Sequence, residues 1–129
     1  MKKWYVIFVI LAIFLGYGIA RAEEKKVVDT NFVLVSTYLV AMTIFDVETT
    51  FAAIRNGAHE ANPIMKPFIK RGRAATYGIQ MGINTIVIGT SYLMKKSDNP
   101  DLRKTWWVIP SVVATSHGVA GGLNLRYVW

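Results

Sequence analysis

Four apolar blocks divide this chain, and they constrain its fold more than any other feature. They cover residues 4–20, 31–54, 74–94 and 106–129. An α-helix rises about 1.5 Å per residue, so about 20 apolar residues cross the hydrocarbon core of a bilayer. The last three blocks reach that length, and the first lies at its lower limit. Between them the sequence leaves only short polar connections, and the Val/Ile runs read as lipid-facing helix surface rather than as strands. The expected fold class is therefore all-α: an integral membrane helical bundle with three core transmembrane helices plus an N-terminal signal peptide or fourth helix. A composition of 53% hydrophobic and 18% charged residues fits that class.

The first block follows Lys2 and Lys3 and ends in Ala20-Arg21-Ala22, a small-x-small cleavage pattern. Residues 1–22 are expected to form a signal peptide or an N-terminal anchor helix, and residues 23–129 the helical transmembrane domain. In both cases residue 31 starts on the extracytoplasmic side. The 55–73 connection then lies inside, with Arg55, Lys66, Lys70, Arg71 and Arg73, in agreement with the positive-inside rule. The expected setting is multi-pass, in the bacterial inner (cytoplasmic) membrane, with the lipid bilayer as the main partner.

The formal charge of +7 belongs to the membrane flanks, where Lys and Arg gather beside anionic lipid. No basic patch interleaved with aromatics stands outside the loops, so no nucleic-acid partner is expected. With no cysteine, the chain has no disulfide, no thiolate nucleophile and no Cys-type zinc or iron–sulfur site.

Helix ends are marked locally. Asp29 and Thr30 are placed to cap the second block, and Asn56-Gly57 to stop it. Pro110 falls in the first turn of the last helix, where a missing N–H does little harm. The stretch "KKSDNPDLRKT" reads as a short solvated loop. Small residues recur at helical spacing: Gly78, Gly82 and Gly89 in the third block, Ala114, Gly118, Gly121 and Gly122 in the fourth. In lipid such stripes let helices approach closely. Gly78, Gly82, Gly89, Gly118 and Gly122 are expected at helix-packing surfaces within the chain, in a homo-oligomer or against a membrane protein partner.

Polar residues keep the same period. Asp46 and Thr50 share a helix face, with Thr49 beside them; so do Gln80 and Asn84, and His117 and Asn124. Facing one another, these lines form a polar seam. A lone Asp at membrane depth costs roughly 2.5–3.5 kcal/mol on insertion scales, so Asp46 needs partners. The 55–73 connection is long enough to fold back, and Glu60 and Asn62 are expected to join Asp46, Thr50 and Asn124 in one cluster. Counting helical rise places His117 one to two turns outward of Asp46. Glu48 lies on the other side of its helix, where Arg55 is available to balance it.

The chemical candidates follow from these groups. Asp46, Glu60 and His117 are candidates for acid–base catalysis. Asp46, His59, Glu60 and His117 are candidates for holding a divalent metal. No pattern demands a cofactor: His59-Glu60 lacks the second histidine of a zinc-protease helix, and no nucleophile elbow surrounds Ser116. His117, beside Gly118 and Gly121, also offers an axial ligand with room for a haem, although no other span supplies a second histidine.

Asp46 with Thr49-Thr50, then Gly57, then Glu60-Ala61-Asn62-Pro63, resembles a family of small bacterial integral membrane proteins known only as a domain of unknown function. Its marks are an Asp-x-x-x-Thr helix end and a Glu-x-Asn-Pro turn. The resemblance covers roughly residues 31–126 and extends to His117 and Asn124. It implies a membrane bundle of three or four helices and brings no activity with it. The leading functional expectation is a structural or accessory subunit of a membrane assembly. The alternative is an intramembrane metal-assisted or acid–base enzyme using Asp46, Glu60 and His117. A third is an oligomeric transporter component, since three spans form a pathway only in an oligomer.

Overall fold

Asp29 opens the first long helix by accepting the N–H of Phe32 at 2.9 Å, one of the donors that a helix start leaves unmatched. The computed structural model describes residues 26–129, so the expected signal peptide or anchor at 1–22 lies outside the described residues. Helix α1 runs Thr30–Arg55. It ends at Asn56 and turns through Gly57, whose φ of +93° is a conformation glycine adopts without strain. A short helix α2, Lys66–Lys70, lies within the connection, and Gly72 (φ +97°) leads into α3, Arg73–Lys96. Helix α5 runs Val108–Asn124 and passes into a 3₁₀ turn, Leu125–Tyr127.

The stretch expected as a plain solvated loop contains a helix instead, α4, Pro100–Thr105. Asn99 accepts the N–H groups of Asp101 (2.9 Å) and Leu102 (3.4 Å), and Pro100 sits at the first helical position. An Asn cap followed by Pro starts a helix readily, because the cap satisfies free N–H groups and the ring presets φ.

Side-chain partners give the topology. Thr43 meets Asn84 and Glu48 meets Tyr77, so α3 runs antiparallel to α1. Thr50 meets Asn124 and Asn56 meets the Tyr127 carbonyl, so α5 runs parallel to α1. The order is up, down, up, with α1 between its two neighbours. Its most extensive contact is with α5, while α3 and α5 touch much less. At the start of α1, Phe32 packs on Trp106 with ring centroids 5.5 Å apart and meets the edge of Tyr92 at 6.3 Å. Lys95 lies over the Trp106 ring and pairs with Asp29, tying the start of α1 to the end of α3.

The distribution of polarity is inverted along α3. Thr76, Gln80, Asn84 and Ser91 are buried, on one helical face, whereas Ile86 and Leu93 are 70% and 66% exposed. Helix α5 exposes Val112 and Val119 in the same way, and the buried apolar residues are few: Phe32, Leu39, Val47, Ala53, Trp106 and Ala114.

The described residues are all-helical, with no strand. Three long helices stand where three core spans were expected. Of the described helices, α1 is the one long and apolar enough to cross a membrane, with a mean hydropathy of 1.5 over its best window. The others fall short for identifiable reasons: α3 carries the buried polar face, and α5 is only 17 residues long before the 3₁₀ turn.

Candidate functional site

The polar residues of α1 and α5 meet because two glycines let the helices close. A methyl group at Gly118 would lie 3.2 Å from the Met42 sulfur. At Gly121 it would lie 2.6 Å from the Phe45 ring and 3.2 Å from the Asp46 Cα. Met42 and Phe45 thus fill the space beside Gly118 and Gly121 that a haem would need. The expected packing glycines divide accordingly. Gly118 sits at the α1–α5 contact, whereas a Cβ added at Gly78, Gly82, Gly89 or Gly122 would meet nothing within 4 Å. Those four lie on faces of α3 and α5 that no described residue covers.

At the α1–α5 crossing, His117 Nδ1 stands 2.7 Å from Asp46 Oδ2, with the side chains 14% and 15% exposed. With the carboxylate ionised, the Nδ1–H donates to it, and the Nε2 lone pair is left available. Thr50 donates a longer bond, 3.4 Å, to Asp46 Oδ1. Asn124 Nδ2 in turn donates to Thr50 Oγ1 at 2.8 Å and approaches Thr49 Oγ1 at 3.5 Å. The result is a chain of polar contacts, His117–Asp46–Thr50–Asn124, across the two parallel helices.

This register agrees with the depth count, which set His117 one to two turns outward of Asp46: Gly121, one turn beyond His117, is the residue that lies against the Asp46 backbone. Trp106 packs beside Phe32, at the start of α1. From Phe32 to Asp46 is ~21 Å of rise and from Trp106 to His117 ~17 Å, an offset of about one turn. The close α1–α5 approach and the reach of the two side chains span it. Asn124 consequently sits one turn further on, against Thr50.

The weaker contact between α3 and α5 leaves a cleft of about 290 Å³ beside this chain. Asp46, Val47 and Thr50 contribute from α1, and Thr76 and Gln80 from α3. Ser116, His117, Ala120 and Asn124 line the α5 side. Glu60, Asn62, Met65 and Ile69 close the fourth side from the connection. Glu60 and Asn62 therefore face the same cleft as Asp46, Thr50 and Asn124, but they hydrogen-bond locally rather than to Asp46. Glu60 Oε1 accepts the N–H of Asn62 at 2.6 Å, and Asn62 Oδ1 accepts that of Ile64 at 3.0 Å. These two bonds shape the Glu60-Ala61-Asn62-Pro63 turn and point it at the bundle.

The other candidates are placed differently. His59 is exposed and does not line the cleft. Asp46 and His117 supply two adjacent donors, but among the described residues no group of three or more His, Cys, Asp and Glu is arranged to hold a metal ion. Glu48 does not pair with Arg55; it binds Arg73 at 3.0 Å and accepts the Tyr77 hydroxyl at 2.9 Å, both from α3. Deeper in the bundle, Asn84 donates to Thr43 Oγ1 at 3.0 Å, and Thr43 donates to the Leu39 carbonyl at 2.9 Å. Asn84 Oδ1 is buried without a partner. Sequence reasoning missed Thr43. It lies seven residues before Thr50, two helical turns along roughly the same face, and that spacing was the available signal.

Fold and site together define a small all-helical protein with a polar cleft built around a carboxylate–imidazole pair. The chain belongs to the family described as Domain of unknown function (DUF5658), whose model matches residues 37–129. No curated protein and no solved structure matches it.

Proposed function

We propose that this protein is a polytopic membrane protein whose Asp46–His117 pair forms an acid–base centre open to a ligand-accessible cleft. The membrane reading is supported by the inverted polarity of the bundle. In water, burying Gln80 and Asn84 while exposing Ile86 and Leu93 is unfavourable; in lipid the same arrangement satisfies polar groups inside and wets the apolar ones with acyl chains. The charged connection between α1 and α3 is assigned to the cytoplasmic side, as the positive-inside rule requires. We assign the protein to the bacterial inner membrane.

The observation that carries the acid–base reading is the 2.7 Å contact between Asp46 Oδ2 and His117 Nδ1, with both residues lining the cleft. A carboxylate on Nδ1 fixes the imidazole tautomer and ring plane and leaves Nε2 as the basic nitrogen. A contact serving only to pack helices needs no adjoining space. Diethylpyrocarbonate, which acylates neutral imidazole, tests this with the purified chain in detergent and His59→Gln as background. His117 is expected to react in the folded protein, and Asp46→Asn to change its rate. Reaction of His117 only after unfolding overturns the reading.

An accessory-subunit role is the second reading, favoured by the open space beside Gly78, Gly82 and Gly89 on α3. Gly82→Leu distinguishes it. Loss of co-purifying membrane protein, with the melting temperature unchanged, supports a partner on that face; unchanged co-purification counts against it.

A further inference from the structure

We propose that the cleft binds a small organic cation through a primary ammonium group. The proposal rests on the reading of the cleft as ligand-accessible and adds the chemical class of the ligand.

The argument is the balance of donors and acceptors at the cleft wall. Its three hydroxyls already donate inward: Thr50 to Asp46, Thr76 to the Gly72 carbonyl at 3.1 Å, and Ser116 to the Val112 carbonyl at 2.9 Å. The Asn124 amide donates to Thr50, and the Gln80 amide points at the Met65 sulfur, 3.7 Å away. Of the lining side-chain amides, only that of Asn62, exposed at the rim, donates no bond among the described residues.

The acceptors are in the opposite condition. Among the described residues no hydrogen bond ends on Glu60 Oε2 or Gln80 Oε1, and Asp46 Oδ1 receives only the long one from Thr50. Gln80, 7% exposed overall, lines the cleft, and its carbonyl oxygen accepts no bond there from the described residues. No Lys or Arg lines the cleft, although several lie in the surrounding connection. Two carboxylates and an amide oxygen therefore face a space in which the one lining side-chain amide that donates no bond among the described residues, that of Asn62, lies at the rim.

An ammonium group supplies three donors and no acceptor, which complements this wall. An anion or a carbonyl compound would bring more acceptors. Val47, Ile69 and Ala120 offer apolar surface for a short alkyl body. The volume of about 290 Å³ lies at the lower end of the range for ligand pockets, so the molecule is small.

Isothermal titration calorimetry of the full chain in detergent micelles, with propylammonium chloride as probe, tests the proposal. Saturable binding is expected to the wild type and not for sodium propionate. Glu60→Gln, in a partly exposed turn, keeps its shape and removes one charge. It is expected to weaken binding about tenfold, because a charge-assisted hydrogen bond becomes a neutral one. Equal binding by wild type and Glu60→Gln overturns the proposal. So does a preference for propionate, or binding of Zn²⁺ or Mg²⁺ alone without propylammonium. Acylation of His117 is measured without amine, so its success beside a failed titration refutes the cation and leaves the acid–base centre standing. Failure of the acylation refutes the centre itself.

Discussion

Replacing Gly121 by alanine probes the contact on which the polar site depends. The new Cβ would lie 2.6 Å from the Cδ1 and Cε1 atoms of Phe45 and 3.2 Å from the Asp46 Cα. The ring has some freedom to turn, but the α1 backbone is held by its own hydrogen bonds, so α1 and α5 must separate by a few tenths of an ångström. Forcing a methyl group into a packed contact costs about 1–3 kcal/mol. Alanine is also a better helix former than glycine by about 1 kcal/mol, which hides part of that cost. Gly122→Ala removes the ambiguity: it gains the same propensity on the same helix, and its Cβ meets nothing within 4 Å. Gly121→Ala is therefore expected to be less stable than Gly122→Ala by about 1–3 kcal/mol. Denaturant titration in mixed micelles, followed by tryptophan fluorescence, measures the difference. Gly118→Ala should fall between them, because the flexible Met42 side chain can move aside. Equal stability of Gly121→Ala and Gly122→Ala would refute close α1–α5 packing at this point, and with it the register that brings His117 to Asp46.

Thr43→Val keeps the shape of a buried side chain but removes the oxygen acceptor for Asn84; leaving that amide with only the Met81 sulfur, 3.9 Å away, is expected to cost about 1–3 kcal/mol in the same titration. Asp46→Asn should fold and retain a neutral contact to His117, and ¹⁵N-histidine spectra should show the ring losing its single fixed tautomer; an unchanged spectrum counts against Asp46 as the group that orients it. The Asp29 carboxyl is held below its usual value near 3.8 by the hydrogen bond from Lys95 and by the Phe32 N–H. Because the folded value is the lower one, this pairing stabilises fully above about pH 4 and is lost as pH falls through the folded value; Asp29→Asn should flatten that acid limb of the stability curve, and an identical limb in the variant would refute the assignment. Single cysteines at Ala61 and Lys104, in a chain without native cysteine, should report opposite sides: an impermeant reagent on intact cells is expected to label position 104 and spare 61, and the reverse would invert the topology.

Much of the helical framework was legible from local signals. Asp29, Asn56-Gly57 and Pro110 act within a few residues of themselves, through caps, a left-handed turn and a fixed φ, so their effect does not depend on distant neighbours. The polar lines Asp46/Thr50, Gln80/Asn84 and His117/Asn124 were visible for the same reason, because helical period puts each pair on one face. What the period leaves open is which face meets which, and at what height. His117 reaches Asp46 because Trp106 packs beside Phe32 and Gly118 and Gly121 let α1 and α5 close, all pairings between residues far apart in the chain. Glu48 turns to Arg73 and Tyr77 rather than Arg55 because α3 lies antiparallel on that side. The glycine stripes show the limit most plainly. Gly82 and Gly121 look alike in sequence, yet one faces open space and the other the ring of Phe45. A glycine records only that a side chain is missing, and only the tertiary structure supplies the neighbour that needs the room.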